Sequence, residues 1–234
     1  MNVKLIATTQ GQGELAGKSL EEISVSIARV SSSRKDKLDD PIPLLNHCIK
    51  NNHWSVFEHA SITMEIATSK AIGIQLLRHR SFTFQEFSQR YARVTDIEPI
   101  EIRKRAVTNR QSSTNVFNPT IKTESYLGGY APGSIAATDL IEGHIEQTKD
   151  LYNKLINAGV AKECARMVLP MATSTTIYMT GTIRSWIHLI DIRDDGHAQK
   201  EIQLIAKEMK AILIEQCPII SKARGWINDE LIID

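Results

Sequence analysis

The chain carries almost no charge excess of either sign. Its 28 Lys and Arg face 27 Asp and Glu, a net charge of +1 over 234 residues. A protein that tracks a nucleic-acid backbone neutralises several phosphates and shows a broad basic surplus. No nucleic acid polymer is therefore expected as a partner, and any anion must be recognised locally. Cysteine is scarce: Cys48, Cys164 and Cys217 are odd in number, far apart and form no CxxC. That argues against a disulfide framework or a zinc site and predicts reduced thiols in a cytoplasmic protein, each a small apolar residue. No run reaches the length of a membrane span, and none has the layout of a signal peptide. No GxGxxG follows a strand, no GxxxxGK[ST] occurs, and the glycine-bearing GQGELAG fits neither pattern. HExxH is missing as well, and His79 has arginine on both sides, which repels a cation, so no metal site is expected.

What is present suits an ordinary globular protein. Apolar residues make up 42% and charged residues 24%, enough to bury a core. No repeat, linker or boundary interrupts residues 1–234, which read as a single α+β domain. A strand beginning near Val3 runs into a glycine-containing loop. Ser19 and Glu22 then form a capping box for a helix burying Leu20, Ile23, Ile27 and Val30. Asp40-Pro41 announces a second helix with Leu44, Leu45, Cys48 and Ile49 inward. Alternation over 57–68 predicts a strand with Ile62, Met64 and Ile66 on one face. Residues 70–80 read as a helix, the remainder of the segment to Arg93 as a loop, and 97–106 as another strand. Residues 108–134 show no period and look like a surface excursion or lid. A helix over about 135–158 points Ile141, Ile145, Tyr152 and Leu155 inward. A short helix stops at Pro170, a strand covers 174–183, and helices cover 184–193 and 197–216.

The segment RHRSFTFQEFSQRYAR, Arg78 to Arg93, packs four arginines and a histidine against one carboxylate, Glu86. Guanidinium is always charged and grips phosphate or carboxylate in a bidentate fork. Arg166, Arg184 and Arg193 lie in otherwise apolar stretches, where an unpaired cation is costly. Arg184 and His188, four apart, share a helix face. A single such arginine is better explained by a salt bridge; the set points to an anionic ligand.

These blocks resemble the flavin-dependent thymidylate synthases, the ThyX family. Arg78-His79-Arg80, seven residues and Ser88 match the RHRx₇S signature, extended by Glu86, Arg90 and Tyr91. HWSVFEHASITMEI, ARMVLP and RSWIHLIDIR…HAQKEI match further blocks in the right order. The resemblance implies a ThyX-like fold, with a mainly antiparallel or mixed sheet and helices packed around it. It also implies conversion of deoxyuridylate to thymidylate with methylenetetrahydrofolate as carbon donor, FAD as redox cofactor and NADPH as reductant. The assembly it implies is a homotetramer with sites shared between subunits.

Carried over by position, Gln75, Arg78, Glu86, Ser88, Gln89, Arg90, Arg166 and Arg193 surround deoxyuridylate. Ser55, Arg78, His79, Arg80, Glu86, Arg184 and His188 contact the flavin, with His53, Glu58 and His197 as weaker candidates. Arg193 takes the place of the arginine that favours ionisation of uracil N3, so that no protein nucleophile is needed; Ser88 is a nucleotide-binding hydroxyl. Thr83, Gln85, Gln89 and Thr182 depart from the commonest family pattern. Three other readings compete: a cysteine-dependent synthase, an RNA-binding module that stacks bases on Phe82, Phe84 and Phe87, and a flavoprotein of other specificity.

Overall fold

A computed structural model describes residues 1–31, 40–94, 96–108, 112–123 and 133–227. In chain order its elements are β1 (Asn2–Thr8), α1 (Leu20–Ala28), α2 (Ile42–Lys50), β2 (Ser61–Ser69), α3 (Lys70–Leu76), β3 (Thr83–Glu86), β4 (Arg103–Arg105) and β5 (Ser113–Val116). There follow β6 (Thr120–Thr123), β7 (Gly133–Ala136), α4 (Ala137–Asn157), α5 (Lys162–Ala165), β8 (Ser174–Thr182), α6 (Ile183–Arg193), α7 (Lys200–Gln216) and α8 (Pro218–Ala223). Two compact units emerge, one of Met1–Ala67, Gln75–Gln85 and Ile177–Asp234, the other of Thr68–Ile74 and Glu86–Thr176. Helices with antiparallel strands make this the α+β class that the sequence predicts. No helix among the described residues is long and apolar enough to cross a membrane.

The first unit is built around a sheet of order β1-β2-β8-β3. β1 and β2 are antiparallel, Asn2 opposite Ala67 and Thr8 opposite Ile62. The period-two alternation of β2 buries Ile62, Met64 and Ile66 completely, and β8 does the same with Ile177 and Met179. Each such side chain contributes roughly 1.5–3 kcal/mol by leaving water. Trp186 of α6 is fully buried, and its indole N–H donates to the Ile62 carbonyl at 3.1 Å. Phe82 meets Trp186 edge-on, ring centroids 4.7 Å apart, and lies so close to Gly181 that a Cβ there would fall 2.4 Å from the ring. That close approach requires glycine and anchors the arginine-bearing turn to the core.

The Ser19–Glu22 capping box forms as expected. Val30, however, is 74% exposed. α1 ends at Ala28 and a 3₁₀ turn follows, which rotates Val30 off the apolar stripe. Beyond the sequence reading, α8 follows Cys217, with Pro218 in its first turn. Glu21, 2% exposed, accepts the α8 backbone N–H groups of Ile220 at 2.6 Å and Ile219 at 3.3 Å. Burial raises its carboxyl to about 7 despite those bonds. Between the unfolded value near 4.5 and about 7 the native state holds the extra proton. Stability is therefore full at low pH and falls as pH rises through 7, by about 3 kcal/mol for a shift of that size. Thermal unfolding of the parent chain beside Glu21→Gln from pH 5 to 8 checks this: the parent's midpoint should fall by several degrees relative to the variant's as pH rises, a difference that cancels the titration of other groups such as His79.

In the second unit α4 buries Tyr152, whose hydroxyl accepts from the Val94 N–H at 3.2 Å. Ile141, Ile145 and Leu155 reach only half-burial, so the inward stripe is narrower than expected. Within 108–134, β5 pairs with β4 and β6 with β7, so the described part carries ladders that a search for period alone overlooks. Residues 109–111 and 124–132 of that stretch lie outside the described ones. The expected strand over 97–106 contracts to Arg103–Arg105. Pro99 cannot donate to a ladder, leaving a bridge from Ile97 to Thr173.

Candidate functional site

In the first unit, α3 stops at Leu76 rather than Arg80, and tight turns follow: His79 N–H bonds the Leu76 carbonyl at 3.0 Å and Phe82 N–H the His79 carbonyl at 3.3 Å. These turns alternate side chains, so Arg78 and Arg80 are exposed while His79 is half-buried. Neither Arg78 nor Arg80 has a hydrogen-bond or ion-pair partner among the described residues. The segment after them is not all loop, because β3 forms the sheet's edge beside β8. Its Thr83-Phe-Gln-Glu run alternates half-buried Phe84 and Glu86 with exposed Thr83 and Gln85.

α6 forms a wall. Thr182 caps it by accepting the Ser185 N–H, so that hydroxyl serves the helix. Ile183, Trp186, Ile187, Leu189 and Ile190 are buried, while Arg184, His188 and Asp191 lie on the exposed face. These three line a cavity of about 540 Å³ with Trp54, Glu58, Ser81 and Ile187, within the range of small-molecule sites. Glu58 forms an ion pair with Arg184 across 126 residues of sequence. Both carboxylate oxygens of Asp191 accept from one terminal NH₂ of Arg224, each at 2.7 Å. Ser55 shares the 3₁₀ segment of Trp54 and Glu58 but is not part of the lining. His53 precedes it and His197 lies beyond α6, both exposed.

Arg193, the last residue of α6, turns the other way. Its Nε–H donates to His79 Nε2 at 3.0 Å, and its terminal NH₂ donates to the Gln75 carbonyl at 3.2 Å. Burial, then the Arg78 charge, lower the Arg193 guanidinium from its ordinary value, yet arginine remains a cation. Burial, Arg193 and then His188 lower the His79 imidazole to about 4. It is neutral across the working range of an enzyme. A half-buried cation with a second cation beside it stabilises an arriving anion by more than a solvated one does.

In the second unit, the single carboxylate of the motif pairs with none of its arginines. Glu86 Oε1 accepts from Lys70 at 2.8 Å and from the Thr175 hydroxyl at 2.9 Å. Ser88, Arg90, Tyr91, Ala161, Lys162 and Glu163 line a polar cavity of about 370 Å³. The Arg90–Glu163 pair there, 3.2 Å apart and well exposed, holds little energy. Gln89 is only 8% exposed and its Nε2 has no partner; the buried Nε of Arg166 also has none. Buried donors left unmet cost about 1–3 kcal/mol each, which suits groups that meet a ligand's oxygens. Arg93 instead bonds the Asn157 amide oxygen at 3.4 Å.

The residues therefore fit a flavin and a nucleotide in kind. The larger cavity offers a guanidinium paired with an exposed carboxylate, an imidazole, an indole and an aliphatic wall, and both units hold donors without acceptors. Sequence reasoning overlooked Trp54, Asp191 and Lys162 in these linings. Asp191 was within reach, seven residues after Arg184 on one helix face. The cysteines suit nucleophilic attack poorly: Cys48 and Cys217 are buried and burial raises both thiols, while exposed Cys164 lines none of the cavities above. No group of three His, Cys, Asp or Glu gathers among the described residues.

Comparison with known proteins adds to this geometry. The family model Thy1, thymidylate synthase complementing protein, matches residues 13–219. A probable flavin-dependent thymidylate synthase of Paramecium bursaria Chlorella virus 1 is 41% identical over 229 residues, 97% of this chain and 100% of the relative. The flavin-dependent thymidylate synthase of Synechocystis sp. is 38% identical over 228 residues, again 97% and 100%. Among solved structures, a UMP/dUMP methylase PolB from Streptomyces cacaoi, bound with 5-Br dUMP, matches with a TM-score of 0.73. That match covers 97% of this chain and 95% of the other at 23% identity, and speaks for the fold alone.

Proposed function

The chain belongs to the Thy1 family of flavin-dependent thymidylate synthases, and from that premise we propose how its side chains serve the conversion of deoxyuridylate to thymidylate. The observation that carries the proposal is the half-buried Arg193 guanidinium, fixed by His79 and Gln75 and crowded by Arg78. Placed against uracil N3, this cation stabilises the ring as it gains negative charge, which makes C5 a carbon nucleophile without any protein thiol. Gln75 and Arg78 flank it. Glu86, Ser88, Gln89, Arg90 and Arg166 hold the nucleotide's sugar and phosphate; Gln89 and Arg166 bring the unmet donors noted above. Glu86 keeps Oε2 for a ligand, since Lys70 and Thr175 both bond Oε1.

FAD is held by Arg184 and His188 on α6, by Ser55, and by Arg78, His79, Arg80 and Glu86. Bound there and reduced, it supplies the reducing equivalents that turn a transferred one-carbon unit into a methyl group. Methylenetetrahydrofolate as carbon donor and NADPH as reductant complete the reaction. We place the activity in the cytoplasm, in a homotetramer whose sites draw on more than one subunit, with both units of each chain serving one synthase. The expected result is direct: the purified protein is yellow and releases FAD on denaturation, and deoxyuridylate perturbs the bound flavin's spectrum. A colourless protein that takes up no added FAD contradicts the proposal.

A further inference from the structure

His79 sits half-buried between two arginines, while its guanidinium neighbours in the chain reach solvent. Its ring meets Phe82 edge-on at 6.4 Å, and its Nε2 lies 3.0 Å from Arg193 Nε. Arginine only donates. Nε2 must therefore be the acceptor, and the proton of the neutral ring must sit on Nδ1. Hydrogen positions are ordinarily a matter of choice, but a partner without lone pairs removes the choice.

We infer that His79 is the positioning residue of Arg193: its bare Nε2 and the Gln75 carbonyl clamp two of the five guanidinium N–H groups and aim the other three at the pyrimidine. Two clamps on different nitrogens fix the plane of the fork, which one bond would leave free to swivel. The inference rests on the reading of Arg193 as the cation that faces the uracil. It also limits what His79 does for a flavin, since only Nδ1–H remains to donate. Arg193, His188 and the Phe82 ring are the groups that face the imidazole. Burial first, then Arg193 and His188, oppose its protonation, so the acceptor persists as pH falls through 6.5, where an ordinary histidine takes up its proton.

A double-mutant cycle with nitrogen-15 NMR tests this. At saturating FAD, His79→Ala should lower the turnover of thymidylate formation about 10- to 100-fold, what a hydrogen bond to a charged group is worth. In an Arg193→Ala background the same change should cost less than about twofold. His79→Gln, whose amide oxygen accepts, should recover most of the loss. Losses that simply multiply in the double variant overturn the inference. Long-range nitrogen-15 spectra of the unmodified, flavin-loaded protein should show Nδ1 protonated and Nε2 bare from pH 8 down to 5. A proton on Nε2 overturns the inference, even where His79→Ala fails to fold. If Arg193→Ala alone turns over normally, the reading of Arg193 fails, while the spectrum still decides the contact.

Discussion

Arg193→Ala is expected to purify with its flavin bound yet to form thymidylate about 10²- to 10³-fold more slowly, the usual cost of removing one preorganised charge from a reacting centre. The cation's N–H groups bond His79 and Gln75, not the cavity in which Arg184 and His188 lie. Its removal therefore leaves Arg184 and His188, two of the residues assigned to the cofactor, untouched. The loss should fall on kcat, because uracil carries its extra charge only as C5 attacks, and the KM for deoxyuridylate should change less. Arg193→Lys should recover little. A compact ammonium has three donors on one nitrogen, so meeting both His79 and Gln75 would leave it at most one N–H for a ligand, against three on arginine. Steady-state kinetics with flavin content measured on each sample check this, and normal turnover in Arg193→Ala removes the residue from the mechanism.

The second large effect belongs to Arg184. Its guanidinium lies in the 540 Å³ cavity and is engaged by Glu58. Both side chains are about half exposed, at 49% and 43%, so their pairing is weak. If Arg184 takes an anionic group of the cofactor, as proposed, Glu58 is the anion that this group displaces. Arg184→Ala should raise the dissociation constant for FAD about 10- to 100-fold, matching the loss of a charge-assisted hydrogen bond. Glu58→Gln should leave FAD binding equal or tighter, because the competitor is gone. Titration of flavin fluorescence distinguishes them. Glu58→Gln weakening FAD as much as Arg184→Ala does would make the carboxylate a ligand rather than a competitor.

Where pattern and motif reported local physics, they were reliable. The alternation of β2, the Ser19–Glu22 capping box and the shared face of Arg184 and His188 all follow from residues a few positions apart. The helix predicted to reach Arg80 ends at Leu76 instead, because Phe82 is drawn against Gly181 and Trp186, more than 95 residues downstream. Long-range pairing likewise made β3 a strand inside what reads as a loop. Partners were the least legible feature. Glu86 finds Lys70 rather than an arginine, Arg184 finds Glu58, and Arg193 finds His79. Each depends on how the chain returns on itself, which spacing does not encode. The types of residue that carry charge to the site were visible early; their geometry was not.

The proposed activity needs a fixed cation to activate uracil and FAD to carry the electrons that NADPH supplies, and it needs no protein thiol. The most direct test incubates the protein, and a variant with Cys48, Cys164 and Cys217 all changed to alanine, with deoxyuridylate, methylenetetrahydrofolate and NADPH. Thymidylate is then measured by mass spectrometry with and without FAD, after bound flavin has been stripped. Thymidylate that forms in both proteins and only when FAD is present is the predicted result. Thymidylate made without flavin, or lost with the cysteines while FAD remains bound, contradicts it.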